Sequence, residues 1–164
     1  MARSTTAQST APRPTTARSS RAPDGPRPRT SPSSIDLVER AHDSLLAAVR
    51  ASTPGERYVA AHLAALRGAA AVLAVRGRPS RRSGLRSVWQ VLPPVAPELT
   101  EWAAFFDAGA ARRAAVEAGR DEVVTSREAD DLVREAETFL VLVESTLGLP
   151  RHHSGISGVL PLSS

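Results

Sequence analysis

Few residues in this chain have the types and spacing to do chemistry. Glu39-Arg40-Ala41-His42 reads E-x-x-H, a spacing that sets two metal ligands on one helix face in di-metal bundles. A working site needs a second such pair and further carboxylates, and no second E-x-x-H occurs, so the sequence predicts no metal centre. His42 and His62 each lie about ten residues from a tight turn near residue 53. They could meet between two helices and hold a metal weakly, although a buried, hydrogen-bonded histidine is the simpler reading. Arg57 and His62 match R-x(4)-H, a cation that stabilises phosphate charge followed by a general acid–base. Five residues advance a helix by about 500°, which leaves the two side chains roughly 140° apart.

A second group is cationic. Arg76, Arg78, Arg81, Arg82 and Arg86 fall within eleven positions, with Trp89 just beyond. Such a cluster can hold a phosphate backbone in a salt-dependent way, and a nearby indole can stack a base. The competing reading is a solvated loop with Trp89 in the core. His152-His153 suits only weak metal binding. Residues 77–84 lack the Gly/Lys pattern of a phosphate cradle, and no G-x-S-x-G elbow occurs. No cofactor is expected.

Composition limits these readings. The chain has 164 residues, no cysteine and no lysine, so all 21 basic residues are arginine. Without cysteine there are no disulfides, thiolate metal sites or cysteine nucleophiles, which suits a reducing cytoplasm. The Arg, Ala, Gly and Pro content resembles that of a GC-rich bacterial genome, which weakens arginine count as a sign of nucleic-acid binding. Six arginines (Arg3, Arg13, Arg18, Arg21, Arg27, Arg29) against Asp24 give residues 1–34 a net charge of +5, and Arg151 adds one to residues 149–164. The overall +4 therefore leaves the centre at −2, and the high pI belongs to the tails. No secretory signal and no run of 18 apolar residues is present, so no membrane association is expected.

The elements that must position these groups read as helices. Residues 1–33 contain almost no large apolar side chain and are expected to be disordered, as are residues 149–164. Between them, 34–148 should form one bundle. A first helix starts at Ser33 or Ser34 with Asp36 closing a cap, and Ile35, Val38, His42, Leu45 and Val49 form its stripe. Thr53-Pro54-Gly55-Glu56 caps a second helix that runs to about Arg76 and packs antiparallel to the first. Helix two is apolar nearly all round (Tyr58, Leu63, Leu66, Val72, Leu73 among alanines), as a central helix or one facing a dimer partner would be. A short helical turn spans Leu85–Leu92, and Pro93, Pro94 and Pro97 break the chain. Helix three runs from about Pro97 to Ala118, with Leu99, Trp102, Phe105, Phe106 and Val116 on its apolar face. Thr125-Ser126-Arg127-Glu128 caps the last helix, whose seam is Ala129, Leu132, Ala136, Phe139, Val143 and Leu147. The expected fold is all-α, a four-helix up-down bundle with a short extra helix between helices two and three.

The length, the interrupted third segment and the closing run from Ser126 to Leu140 resemble the HEPN superfamily, and more narrowly a small actinobacterial branch of HEPN-like proteins. The likeness covers about residues 35–148. Members include metal-independent endoribonucleases, non-catalytic partners of nucleotidyltransferases and RNA-binding modules. The resemblance implies a homodimer, a protein partner such as a nucleotidyltransferase, and RNA or DNA as a ligand. Catalytic members place R-x(4–6)-H near the start of the last helix. Here that helix opens with Arg127 but has no histidine before Gly148. Arg57 and His62 match the spacing in a different helix, so the family's catalytic residues do not carry over. The expectation is a non-catalytic binding or scaffold module, with a ribonuclease built on Arg57 and His62 as the alternative.

Overall fold

The computed structural model describes residues 33–77 and 87–150. The segments expected to be disordered, 1–33 and 149–164, and the loop expected at 77–84 lie outside that set except for Ser33, which caps the first helix, Gly77, and Leu149 and Pro150, of which Leu149 packs on the core. The described chain folds into helices α1 (Ser34–Arg50), α2 (Pro54–Arg76), α3 (Val88–Val95), α4 (Thr100–Glu117) and α5 (Ser126–Leu147). Two 3-10 turns, Pro97–Leu99 and Asp121–Val123, precede α4 and α5.

The helix starts follow the local chemistry. The Ser33 hydroxyl accepts the Asp36 N–H at 3.1 Å and Asp36 accepts the Ser33 N–H in return. Thr53 with Glu56 and Thr125 with Glu128 repeat this reciprocal box, and Pro54 fills a first-turn position where its missing N–H costs nothing. Each box satisfies donors that would otherwise face no partner, a gain of about 1 kcal/mol per cap.

The bundle is up-down-up-down. Ser44 on α1 meets Arg67 on α2, His62 on α2 meets Phe106 on α4, and His42 on α1 meets Glu144 on α5. Tyr58 and His62 meet Gly109 and Phe106, and Phe106 and Arg112 meet Phe139 and Glu128, so α4 is antiparallel to both α2 and α5, while Arg57 and Gly68 meet Asp130 and Leu140, so α2 and α5 run parallel and pack closely. α2 is central, touching α1, α3, α4 and α5. Its length and hydropathy alone would suit a membrane span, but 56% of that stretch is buried inside the bundle. Ala61, Ala64, Ala65, Ala69 and Ala71 are fully buried, and they let the neighbouring backbones come near. Gly68 marks the closest approach, since a Cβ there would lie 2.6 Å from Leu140 Cδ2 on α5. The core is closed by an aromatic group in which Phe106 stacks on Trp89 and Trp102 and tilts against Phe139.

Four expectations need correction. The buried row of α1 is Val38, Ala41, Leu45 and Ala48, while Ile35 and Val49 are exposed. Small residues win this face because α2 lies close against it. In α4, Phe105 is exposed, since Ala103 and Phe106 point to α2 and α3. The short helix is shifted to Val88–Val95 and runs through Pro93 and Pro94. Proline φ is helical, but each ring forfeits its N–H bond and crowds the carbonyl four residues back, so the helix stays short and closes where the Ala96 N–H reaches the Leu92 carbonyl at 2.9 Å. Helix three opens with a 3-10 turn and becomes α-helical at Thr100.

Candidate functional site

The groups singled out by spacing can now be placed. α2 carries both Arg57 and His62, and they engage different neighbours. The Arg57 guanidinium donates to Asp130 on α5 at 2.6 Å and to the Ala51 carbonyl at 3.4 Å. His62 points to α4, where Nε2–H donates to the Phe106 carbonyl at 2.9 Å. Its ring is fully buried, edge-on to both Trp89 and Phe106. Nδ1 has no hydrogen-bond partner, so it is the unprotonated nitrogen of a neutral imidazole. Burial pushes the His62 pKa below its ordinary 6.5, with the Phe106 carbonyl opposing. The structure does not bring Arg57 and His62 into one pair.

His42 and His62 do not pair either. His42 Nε2 lies 2.6 Å from Glu144 Oε1, linking α1 to α5. Glu144 is fully buried, and the imidazole is one of the partners a buried carboxylate needs. Glu39 of the E-x-x-H is exposed, and among the described residues no three His, Asp or Glu side chains gather as metal ligands would.

Of the arginine cluster, only Arg76 lies among the described residues. It pairs with Glu98 at 2.6 Å and donates to the Val95 carbonyl at 3.2 Å, tying the end of α2 to the α3–α4 junction. The Glu98 carboxyl is held below the usual range, first by its own backbone N–H and then by Arg76. Arg78, Arg81, Arg82 and Arg86 lie outside the described residues. Trp89 is in the core, stacked on Phe106 with ring centres 5.1 Å apart, so it offers no face to a base.

The structure adds a cleft that spacing did not reveal. Tyr58, His62, Phe105, Gly109, Arg112, Glu128 and Asp131 are among the residues that line an opening of about 370 Å³ between α2, α4 and the start of α5, with His62 buried at its inner wall. Gly109 is required there, because a Cβ would lie 2.8 Å from the Tyr58 hydroxyl. Burial raises the Tyr58 pKa and the neighbouring Arg112 guanidinium opposes that rise. Glu128 is shared between the Thr125 cap and Arg112 at 3.3 Å, and the Thr125 hydrogen bonds lower its pKa. Asp131 pairs with Arg134 and, at 3.9 Å, with Arg127. Aromatic walls with a few converging polar groups are what a binding or an active site offers. Its parts come from three helices, so no single stretch of sequence could announce it. Glu144 was legible in principle, as one acid on the α1-facing row of a helix whose neighbours Leu140 and Val143 are core residues.

Comparison with curated proteins and with solved structures returned no match. The bundle, its interrupted middle segment and its capped last helix agree with a match between residues 48–144, more than half of the chain, and the SAV_6107-like HEPN family, and the chain belongs to that family.

Proposed function

We propose that this protein is a non-catalytic HEPN-like binding or scaffold module that works, as a homodimer, with a nucleic-acid-processing or nucleotidyltransferase partner. The observation that carries the reading is the separate engagement of Arg57 and His62. General acid–base catalysis needs a histidine that can reach the reacting atoms and exchange a proton near the working pH. His62 is buried at the wall of the cleft, its pKa is pushed down by burial, and its Nε2–H is committed to a backbone carbonyl, while Arg57 is held by Asp130. The last helix offers no histidine to replace His62. A chain of this kind acts by what its surface holds, and the α2–α4–α5 cleft is the surface with converging polar groups.

The test incubates the purified full chain with labelled single-stranded and hairpin RNA in the presence of a metal chelator. The expected result is intact RNA. Cleavage that disappears in both Arg57→Ala and His62→Gln would overturn the proposal in favour of a metal-independent endoribonuclease. Affinity capture of the tagged chain from its own host should recover a nucleotidyltransferase or a nucleic-acid-processing protein, and recovery of the chain alone counts against the partner.

A further inference from the structure

His62 is covered by α3 as well as by α4. Trp89 stands edge-on to its ring with centroids 5.8 Å apart, and stacks on Phe106 at 5.1 Å. The ring meets α4 through its Cδ2–Nε2 edge, since a Cβ on Gly109 would lie 3.6 Å from Cδ2 and 3.8 Å from Nε2. Nδ1 lies on the side of the ring turned away from Gly109, buried and without a hydrogen-bond partner. A buried acceptor in that condition bears its full desolvation, and a charge placed on the ring there costs more.

The helix that covers it is lightly held. α3 has eight residues, and Pro93 and Pro94 deprive it of two N–H donors. Its buried side chains are Trp89 and Leu92. Its polar ties sit at its two ends and are exposed: the Ser87 hydroxyl donates to Asp107 at 3.3 Å, and Arg76 donates to the Val95 carbonyl at 3.2 Å. Short segments with few buried contacts and exposed hydrogen bonds open before the helices of a core. The charged groups around His62 belong to other elements. Arg113 and Glu117 on α4 act on it in opposite directions, and Arg112, Glu128 and Asp131 line the cleft at whose inner wall it lies. α2 adds the Tyr58 hydroxyl, while Val88–Val95 carries no titratable side chain. Exchanging α3 for water would therefore solvate a charged ring and remove no ionic partner from it.

We propose that α3 is a strap that lifts from α2 and α4 when His62 takes up a proton, while α1, α2, α4 and α5 stay packed. Lifting admits water to Nδ1 and uncovers the face of Phe106 on which Trp89 stacks. A lifted strap leaves His62 its ordinary pKa of 6.5, whereas burial under the seated strap lowers it. The seated form is therefore favoured above pH 6.5, and the lifted form gains as pH falls below that value until the seated ring can itself be protonated. The strap is a property of the bundle and stands whether or not the chain acts with a nucleotidyltransferase.

Amide hydrogen exchange on the full chain, corrected for intrinsic rates, tests this. The Val91 and Ala96 amides, bonded to the Ser87 and Leu92 carbonyls, report the strap, and amides in the middle of α5 report unfolding of the whole bundle. At pH 7.5 the strap amides should be less protected than those of α5 and should keep their protection in low urea, where that of α5 falls. Between pH 6.5 and 5.5 the strap's protection should drop by up to about tenfold. His62→Gln should remove that drop. Pro93→Ala with Pro94→Ala restores two donors and should raise the strap's protection while leaving that of α5 nearly unchanged, a readout that does not depend on the glutamine variant folding. Strap and α5 amides with the same protection at every urea concentration, or an alanine gain shared equally by α5, would overturn the strap. A drop absent from the native chain, or unchanged in His62→Gln, would overturn His62 as its trigger.

Discussion

His62 and Glu144 carry the least replaceable chemistry at the scale of single residues. His62 is neutral in the fold because charging it would place an imidazolium against Trp89 and Phe106. Its folded pKa is lowered from the ordinary 6.5. Above that value both folded and unfolded chains hold the ring neutral, and its contribution to stability is complete. Below pH 6.5 the unfolded chain takes up a proton that the folded chain refuses, so stability declines until the lower folded pKa is passed. Urea unfolding of the native chain between pH 7.5 and 5.5 should show this loss, with a slope of up to about 1.4 kcal/mol per pH unit. His62→Gln should flatten that part of the profile, and an unchanged slope would remove His62 as its source. Glu144 tests a different principle. His42→Ala takes the imidazole partner from a fully buried carboxylate and should cost about 2–3 kcal/mol. Replacing both residues by leucine removes the carboxylate too and should cost less than the single change. A double change that costs as much as the sum of both single changes would count against the pair.

The helices differ in how far they depend on one another. The three capping boxes are local devices, each written in four consecutive residues, and Thr125→Ala should lower stability by about 1 kcal/mol in equilibrium unfolding. The α2–α5 contact is not local. Gly68→Val would press a branched side chain into Leu140, itself almost wholly buried, and should cost at least about 1–3 kcal/mol through overpacking. Leu140→Ala combined with Gly68→Val should recover part of that loss, because the space Leu140 vacates is where the valine must go. Failure of the pair to recover anything would show that α2 and α5 are held apart by something other than this contact. α4 depends on its neighbours most unevenly, since it packs on α2 and α3 and leaves Phe105 exposed beside the cleft.

Across the whole molecule, charge is divided between the described bundle and the segments around it. Most of the net positive charge of the sequence lies in residues 1–34. Deleting residues 1–32 should therefore make the chain elute from a polyanion column at clearly lower salt, while its thermal midpoint stays nearly the same. If retention is unchanged, attention moves to Arg78, Arg81, Arg82 and Arg86, and Arg81→Ala with Arg82→Ala should then weaken RNA binding and flatten its dependence on salt.

The sequence determined on its own what is decided within a few residues. The caps at Ser33, Thr53 and Thr125, the span Pro54–Arg76 and the α5 seam from Ala129 to Val143 were all legible, because hydrogen bonds to the next turn and a 3.6-residue period need no distant partner. The resemblance to HEPN proteins was legible for the same reason, since it rests on the order and punctuation of helices. Which stripe of α1 is buried was not, because Ile35 and Val49 fit its period as well as Ala41 and Ala48, and only the close approach of α2 selects the smaller side chains. Nor could spacing show that Arg57 turns to Asp130 while His62 turns to Phe106, 73 and 44 residues away. The cleft and the Glu144 partner belong to this second class: their atoms meet only after α1, α2, α4 and α5 have packed, and packing is a property of surfaces that no short stretch of chain contains.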